Sequence, residues 1–126
     1  MASIVIVEDE KFLLEICERK FRTLGFTVKT AVDGPSGLEK ITSSQPDIVL
    51  LDIILPNMDG FEVLRRVRSD PDPQIAKIPI IILSNLGQDS DIEKAKRLGA
   101  NDYLVKTFFT VEEIVAKVRG LLGPAI

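Results

Sequence analysis

Four short apolar runs in this chain each end abruptly on a polar group. Ile4-Val5-Ile6-Val7 ends on Glu8-Asp9, and Ile48-Val49-Leu50-Leu51 ends on Asp52. Ile80-Ile81-Ile82-Leu83 ends on Ser84, and Tyr103-Leu104-Val105 on Lys106. Short, unbroken and rich in β-branched residues, they read as strands buried on both faces, the habit of parallel sheets. A fifth segment, Thr27 to Ala31, alternates polar and apolar residues and suits a sheet edge.

Segments of helical period separate the strands. From Lys11 to Leu24, Leu13, Ile16, Cys17, Phe21 and Leu24 recur at spacings that make one helix face, stopped by Gly25. Asp33-Gly34-Pro35 opens a second helix, with proline in its first turn; Leu38 and Ile41 form its stripe and Gln45-Pro46 closes it. The third helix is expected to bury Phe61, Leu64 and Val67 and to turn Arg65, Arg66 and Arg68 to solvent. Ser69-Asp70-Pro71-Asp72-Pro73 reads as a turn, and the fourth strand is expected over residues 78–83. Asp89 to Leu98 makes a charged helix capped by Gly99, and the fifth strand covers Asp102 to Val105. Thr110, with Glu113 three residues on, is a capping box for a last helix that buries Ile114, Val115, Val118 and Leu122. The tail from Gly120 to Ile126 ends that helix and frays.

Five strands alternating with five helices predict an α/β fold, a doubly wound five-stranded parallel sheet. Right-handed crossovers and the polar second strand favour the order 2-1-3-4-5. Ligands of such sheets bind beyond the strand carboxyl ends, at the switch between strands 1 and 3. Glu8, Asp9 and Asp52 lie there, joined by Ser84 and Lys106 from strands 4 and 5. Clustered carboxylates need a cation, and an all-oxygen set favours a hard ion, Mg²⁺ or Mn²⁺. A carboxylate is also a competent nucleophile toward phosphorus, which makes Asp52 the candidate acceptor of a phosphoryl group. Ser84 and Lys106 then supply a hydroxyl and a point charge to its oxygens. Taken singly, Glu8-Asp9 could cap the first helix and Lys106 be a surface lysine; on four strands of one sheet they converge.

Composition narrows the classes. At 126 residues, 45% hydrophobic and 28% charged, residues 1–126 are expected to form one domain with a full core. A net charge of −3 with scattered basic residues gives no footprint for nucleic acid. The absence of histidine removes His catalysis and His-ligated zinc, and the lone Cys17 reads as a passive core thiol. Met1-Ala2-Ser3 leads straight into a strand with no signal peptide, and no apolar stretch nears the roughly 18 residues of a membrane span. A cytoplasmic location without membrane insertion is expected.

These residues carry a resemblance. The chain resembles a response-regulator receiver domain of two-component signalling, of the stand-alone type. The matching segments are Val7-Glu8-Asp9-Glu10, Asp52-Ile53-Ile54-Leu55-Pro56-Asn57-Met58-Asp59-Gly60, Leu83-Ser84, Gly99-Ala100-Asn101-Asp102-Tyr103 and Val105-Lys106. The resemblance implies a flavodoxin-like (βα)5 fold. It implies that Asp52 takes phosphate from a sensor histidine kinase or phosphotransfer protein, and that Glu8, Asp9, Asp52 and the Ile54 backbone carbonyl hold Mg²⁺. It implies that Ser84 and Lys106 grip the phosphoryl oxygens, and that Tyr103 turns inward as Ser84 moves toward the phosphate. The output is then a partner-binding surface on the fourth helix, fifth strand and fifth helix, read by a downstream protein. Such a chain is no enzyme toward a separate substrate, although it promotes its own phosphorylation and dephosphorylation.

Three positions depart from the family pattern. Thr107 follows Lys106 in place of a proline, which predicts either a trans bond with a reshaped loop or a strained cis bond costing roughly 3–4 kcal/mol. Asn85 follows Ser84 in place of a small residue, and either narrows the pocket or adds a hydrogen bond. Ile54 and Leu86, which flank the path of attacking water, are both apolar, so slow self-dephosphorylation is expected. The alternative function is a phosphorylation-independent docking module with a drifted site. An aspartate-nucleophile phosphatase is disfavoured because Ile54 stands where that chemistry needs a second acid, and a nucleotide site because no glycine-rich loop follows the first strand.

Overall fold

The computed structural model describes residues 2–123; Met1 and the tail residues Pro124–Ile126 lie outside the described residues. Five strands, β1 (Ser3–Val7), β2 (Thr27–Ala31), β3 (Ile48–Leu51), β4 (Ile80–Ser84) and β5 (Asp102–Val105), form one parallel sheet in the order β2-β1-β3-β4-β5. The register sets Val7 beside Leu51, Leu51 beside Ile82 and Ser84 beside Val105, so the strand carboxyl ends finish level. The predicted topology and the polar edge strand β2 are both observed, and the fold is flavodoxin-like.

Among the described residues, six helices accompany the sheet: α1 (Lys11–Thr23), α2 (Gly34–Ser44), α3 (Gly60–Arg68), α4 (Pro73–Ala76), α5 (Asp89–Arg97) and α6 (Val111–Leu122). Successive strand side chains point to opposite faces, and this divides the core in two. Val5, Val7, Val49, Leu51, Ile80 and Ile82 meet Ile41 of α2, Leu64 and Val67 of α3 and Ala95 of α5. Ile4, Ile6, Ile48, Leu50, Ile81 and Leu83 meet Leu14, Cys17 and Phe21 of α1 and Ile114 and Val118 of α6. Cys17 is buried in this second half, where burial first and then the charge of Glu8 push its thiol up to about 11. A thiol so protonated is unreactive, as expected of a core residue.

Caps explain where the helices begin. Asp33 accepts from Ser36 N–H at 2.7 Å, Asp59 from Glu62 N–H at 3.0 Å, and the Thr110–Glu113 capping box is complete. Helix α2 stops at Gln45, whose φ of 46° is left-handed, and α1 is followed by Gly25 at φ 92°.

Several expectations need correction. The turn cluster before β4 contains a single-turn helix, α4, capped by the Asp72 carboxylate on Gln74 N–H at 2.9 Å, and β4 begins at Ile80 rather than Ile78. In α1, Leu14 is buried while Leu13 and Ile16, and Leu24 just past its end, are only partly so. In α3, Val63 joins Leu64 and Val67 in the core; Phe61 is half-buried beneath the Lys94 ammonium, 4.3 Å from its ring centre. Arg68 does not face solvent. Its guanidinium donates to the carbonyls of Gly99 (2.9 Å), Ala76 (2.9 Å) and Ile78 (2.7 Å) and to Asn101 Oδ1 (2.9 Å), and burial holds its pKa below the usual value. The last helix runs past Gly120 to Leu122.

Candidate functional site

The carboxyl ends of β1 and β3 place the acidic residues. Glu8 follows the buried Val7 and is itself only 3% exposed; Asp52 follows Leu51 and is 4% exposed. Asp9, one residue further along, is exposed. One carboxylate oxygen from each of Glu8, Asp9 and Asp52 lies within 4.8 Å of the others, and these three could hold a metal ion. A hard cation fits this donor set, which offers oxygen without nitrogen or sulfur.

Lys106 reaches into the cluster from the end of β5. Its Nζ lies 2.8 Å from Glu8 Oε1, 2.9 Å from Asp52 Oδ2 and 3.4 Å from Glu10 Oε2. Burial lowers the affinity of this ammonium for its proton, but hydrogen bonds to Asp52 and Glu8 outweigh that and hold its pKa above the ordinary lysine value. Glu8 shows the opposite balance. Burial and the charge of Asp52 raise its carboxyl to about 7, against the pull of Lys106 and of the Glu10 N–H that it accepts at 3.0 Å. Asp52 Oδ1 accepts from Ile53 N–H at 2.6 Å and, more weakly, from Ile54 N–H at 3.4 Å. The carboxylate of Asp52 is therefore fixed from both sides, by backbone on one oxygen and an ammonium on the other.

Ser84 is fully buried at the end of β4, and its Oγ accepts from Leu86 N–H at 3.3 Å. Tyr103 is also buried and donates its hydroxyl to the Leu86 carbonyl at 2.5 Å. Burial, followed by the charge of Asp91, pushes the phenol above its normal range. Tyr103 thus points inward. The backbone of Leu86 joins Ser84 to Tyr103, a connection that no side-chain pattern in the sequence announces. Glu10 is a residue to which the sequence assigned no role; its only signal was a third acidic position after β1.

The departures can be placed. The Lys106–Thr107 peptide is trans, and residues Lys106–Phe108 form a 3-10 turn that leaves Thr107 exposed. Lys106 still reaches Asp52. Asn85 is exposed, and its amide makes no hydrogen bond among the described residues, so it adds none to the pocket. Ile54 is 56% exposed and Leu86 half-buried.

Comparison with known proteins returns one family. A model of the response regulator receiver domain matches residues 4–119. The chain is 39% identical over 122 residues to the DNA-binding dual master transcriptional regulator RpaA of Synechocystis, a match covering 97% of this chain and 49% of that protein. It spans about half the length of the curated relatives it matches. A putative response regulator from Chloroflexus aurantiacus superposes with a TM-score of 0.85 at 34% identity, covering 96% of this chain and 97% of that one. The BeF3-activated N-terminal receiver domain of Klebsiella pneumoniae RstA gives 0.84 at 30% identity, covering 95% and 97%. No helix among the described residues is long and apolar enough to cross a membrane.

Proposed function

The chain belongs to the response regulator receiver domains, and on that premise we propose that Asp52 accepts a phosphoryl group from a phosphohistidine on a sensor kinase or phosphotransfer protein. The observation that carries this is the setting of Asp52: a buried carboxylate with backbone N–H on one oxygen, the Lys106 ammonium at 2.9 Å on the other, and two further carboxylates within 4.8 Å. In the transfer a carboxylate oxygen of Asp52 forms the new P–O bond as the donor's P–N bond breaks, and the departing imidazole keeps its electron pair and takes a proton. Glu8, Asp9, Asp52 and the Ile54 backbone carbonyl would hold Mg²⁺ or Mn²⁺, which supplies positive charge to the phosphoryl oxygens. The Lys106 ammonium lies against Glu8 and Asp52, and in this reading it exchanges one of these contacts for a phosphoryl oxygen.

Ser84 and Tyr103 form the switch in this reading. Drawing the Ser84 hydroxyl toward a phosphoryl oxygen breaks its bond from Leu86 N–H, and Leu86 also carries the carbonyl on which Tyr103 rests. A shift of Ser84 thus moves the anchor of Tyr103, and in this reading the change reaches the surface of α5, β5 and α6. A downstream protein reads that surface. The chain promotes its own phosphorylation and hydrolysis and turns over no separate substrate.

The test is incubation with acetyl phosphate and Mg²⁺, followed by intact-mass measurement. We expect one acid-stable, base-labile adduct that is lost in Asp52→Asn and in EDTA. An adduct that persists in Asp52→Asn, or none in the wild type, sinks the reading.

A further inference from the structure

Helix α2 contributes none of the residues named above, yet it packs on Val7 at the end of β1 and on Met58 in the loop that follows Asp52. Its glycines Gly34 and Gly37 are buried and three positions apart, hence on one helix face. A Cβ built on Gly37 would sit 2.7 and 2.8 Å from the methyls of Val7, the residue before Glu8. A Cβ built on Gly34 would sit 2.0 Å from the Met58 carbonyl oxygen and 2.6 Å from Met58 Cβ, in the loop that leaves Asp52.

Neither glycine has a positive φ, so the backbone conformation does not demand glycine. Alanine suits a helix better, so the close approach is the property that excludes it. Hydrogen bonds extend the same connection. Gly34 N–H donates to Pro56 carbonyl at 3.3 Å, and Glu8 N–H to Ala31 carbonyl, at the end of β2, at 2.9 Å. The far end of the loop is equally tight: a Cβ on Gly60 would sit 2.1 Å from the Asp52 carbonyl oxygen. The strand end carrying Glu8 and Asp9 and the loop after Asp52 are thus braced against one helix.

We propose that Gly34 and Gly37 are positioning residues for the metal site, Gly34 the more so: their missing side chains let α2 rest on Met58 and Val7 and set the loop after Asp52 against the strand end that carries Glu8 and Asp9. This rests on the reading of the acidic cluster as a metal site. An alanine in place of Gly34 meets backbone, which cannot swing aside, so the loop must shift. The ligands it orders then separate from Glu8 and Asp9.

The experiment is Mn²⁺ binding to the full chain, with free ion followed by electron paramagnetic resonance, in the wild type and in Gly34→Ala, Gly37→Ala and Val118→Ala. In Gly34→Ala the Kd should rise about 10-fold or more, the range for residues that orient metal ligands. A smaller rise is expected in Gly37→Ala, where only methyl groups must give. Val118, in α6 on the opposite face, is the stability control: its truncation should lower Tm and leave Kd unchanged. Wild-type binding with an unchanged Kd in Gly34→Ala overturns this proposal alone, whereas no Mn²⁺ binding in the wild type overturns it together with the metal reading. Should Gly34→Ala not fold, an unchanged Kd in Gly37→Ala overturns the proposal.

Discussion

Replacing Asp9 by asparagine should stabilise the metal-free protein and abolish its response to Mg²⁺. The substitution removes one of three carboxylates whose oxygens lie within 4.8 Å of one another. At that separation two charges repel by about 1 kcal/mol in water and about 3.5 kcal/mol at an effective dielectric of 20. Asp9 is exposed, so the lower value governs; Asp52 is one such neighbour, and Glu8, its carboxyl raised to about 7, counts only in part near neutral pH. The Lys106 ammonium, bound to Glu8, Asp52 and Glu10 rather than to Asp9, offsets part of this repulsion. A gain of up to about 1 kcal/mol follows, or about 4 °C in Tm for a chain of this size. Mg²⁺ should invert the order. Free ion at about 100 times Kd adds about 2.7 kcal/mol to a protein that binds it only when folded, and the neutral amide forfeits most of that. Thermal unfolding by circular dichroism, first in EDTA and then at stepped Mg²⁺, should give two Tm curves that cross. A variant no more stable than wild type in EDTA, or two curves rising in parallel, would refute the reasoning.

Lys106→Met should cost about 3–5 kcal/mol at neutral pH, the usual price of stripping one partner from buried ion pairs; a loss below about 1 kcal/mol in urea unfolding would mean that water already solvates Glu8 and Asp52. Arg68→Met leaves the carbonyls of Gly99, Ala76 and Ile78 without their donor, and a loss of about 2–3 kcal/mol is expected, with Arg68→Lys recovering only part because an ammonium lacks the fork. The acyl phosphate on Asp52 should be long-lived, since neither Ile54 nor Leu86 can orient water; hydrolysis within seconds in Mg²⁺ buffer contradicts this, and Ile54→Asn should shorten the lifetime.

The sheet was legible because parallel strands are buried on both faces and advertise themselves as unbroken apolar runs. The site was legible for a related reason: each run stops at the same edge, so the residue after each stop is already a coordinate in space. Glu8, Asp52 and Lys106 could be placed together without any structure. Other features left weaker traces. The single turn of α4 hid inside a proline-rich cluster, where Asp72 followed by Pro73 is equally a turn and a cap. Arg68 looked like its solvent neighbours Arg65 and Arg66, since its carbonyl partners lie 8, 10 and 31 residues away. The Leu86 backbone and the Gly34–Met58 approach are contacts of main chain, and side-chain pattern carries no record of them.

The division of the core has a consequence for how this protein can vary. The two apolar halves share no side chain, since each strand deals alternate residues to opposite sides. Free-energy effects of paired changes made one on each side should therefore sum, to within about 0.3–0.5 kcal/mol, whereas pairs made within one side should interact. The side under α1 and α6 can thus be repacked while the side holding Tyr103 keeps its own packing, and one half of the core can change without the other having to adjust.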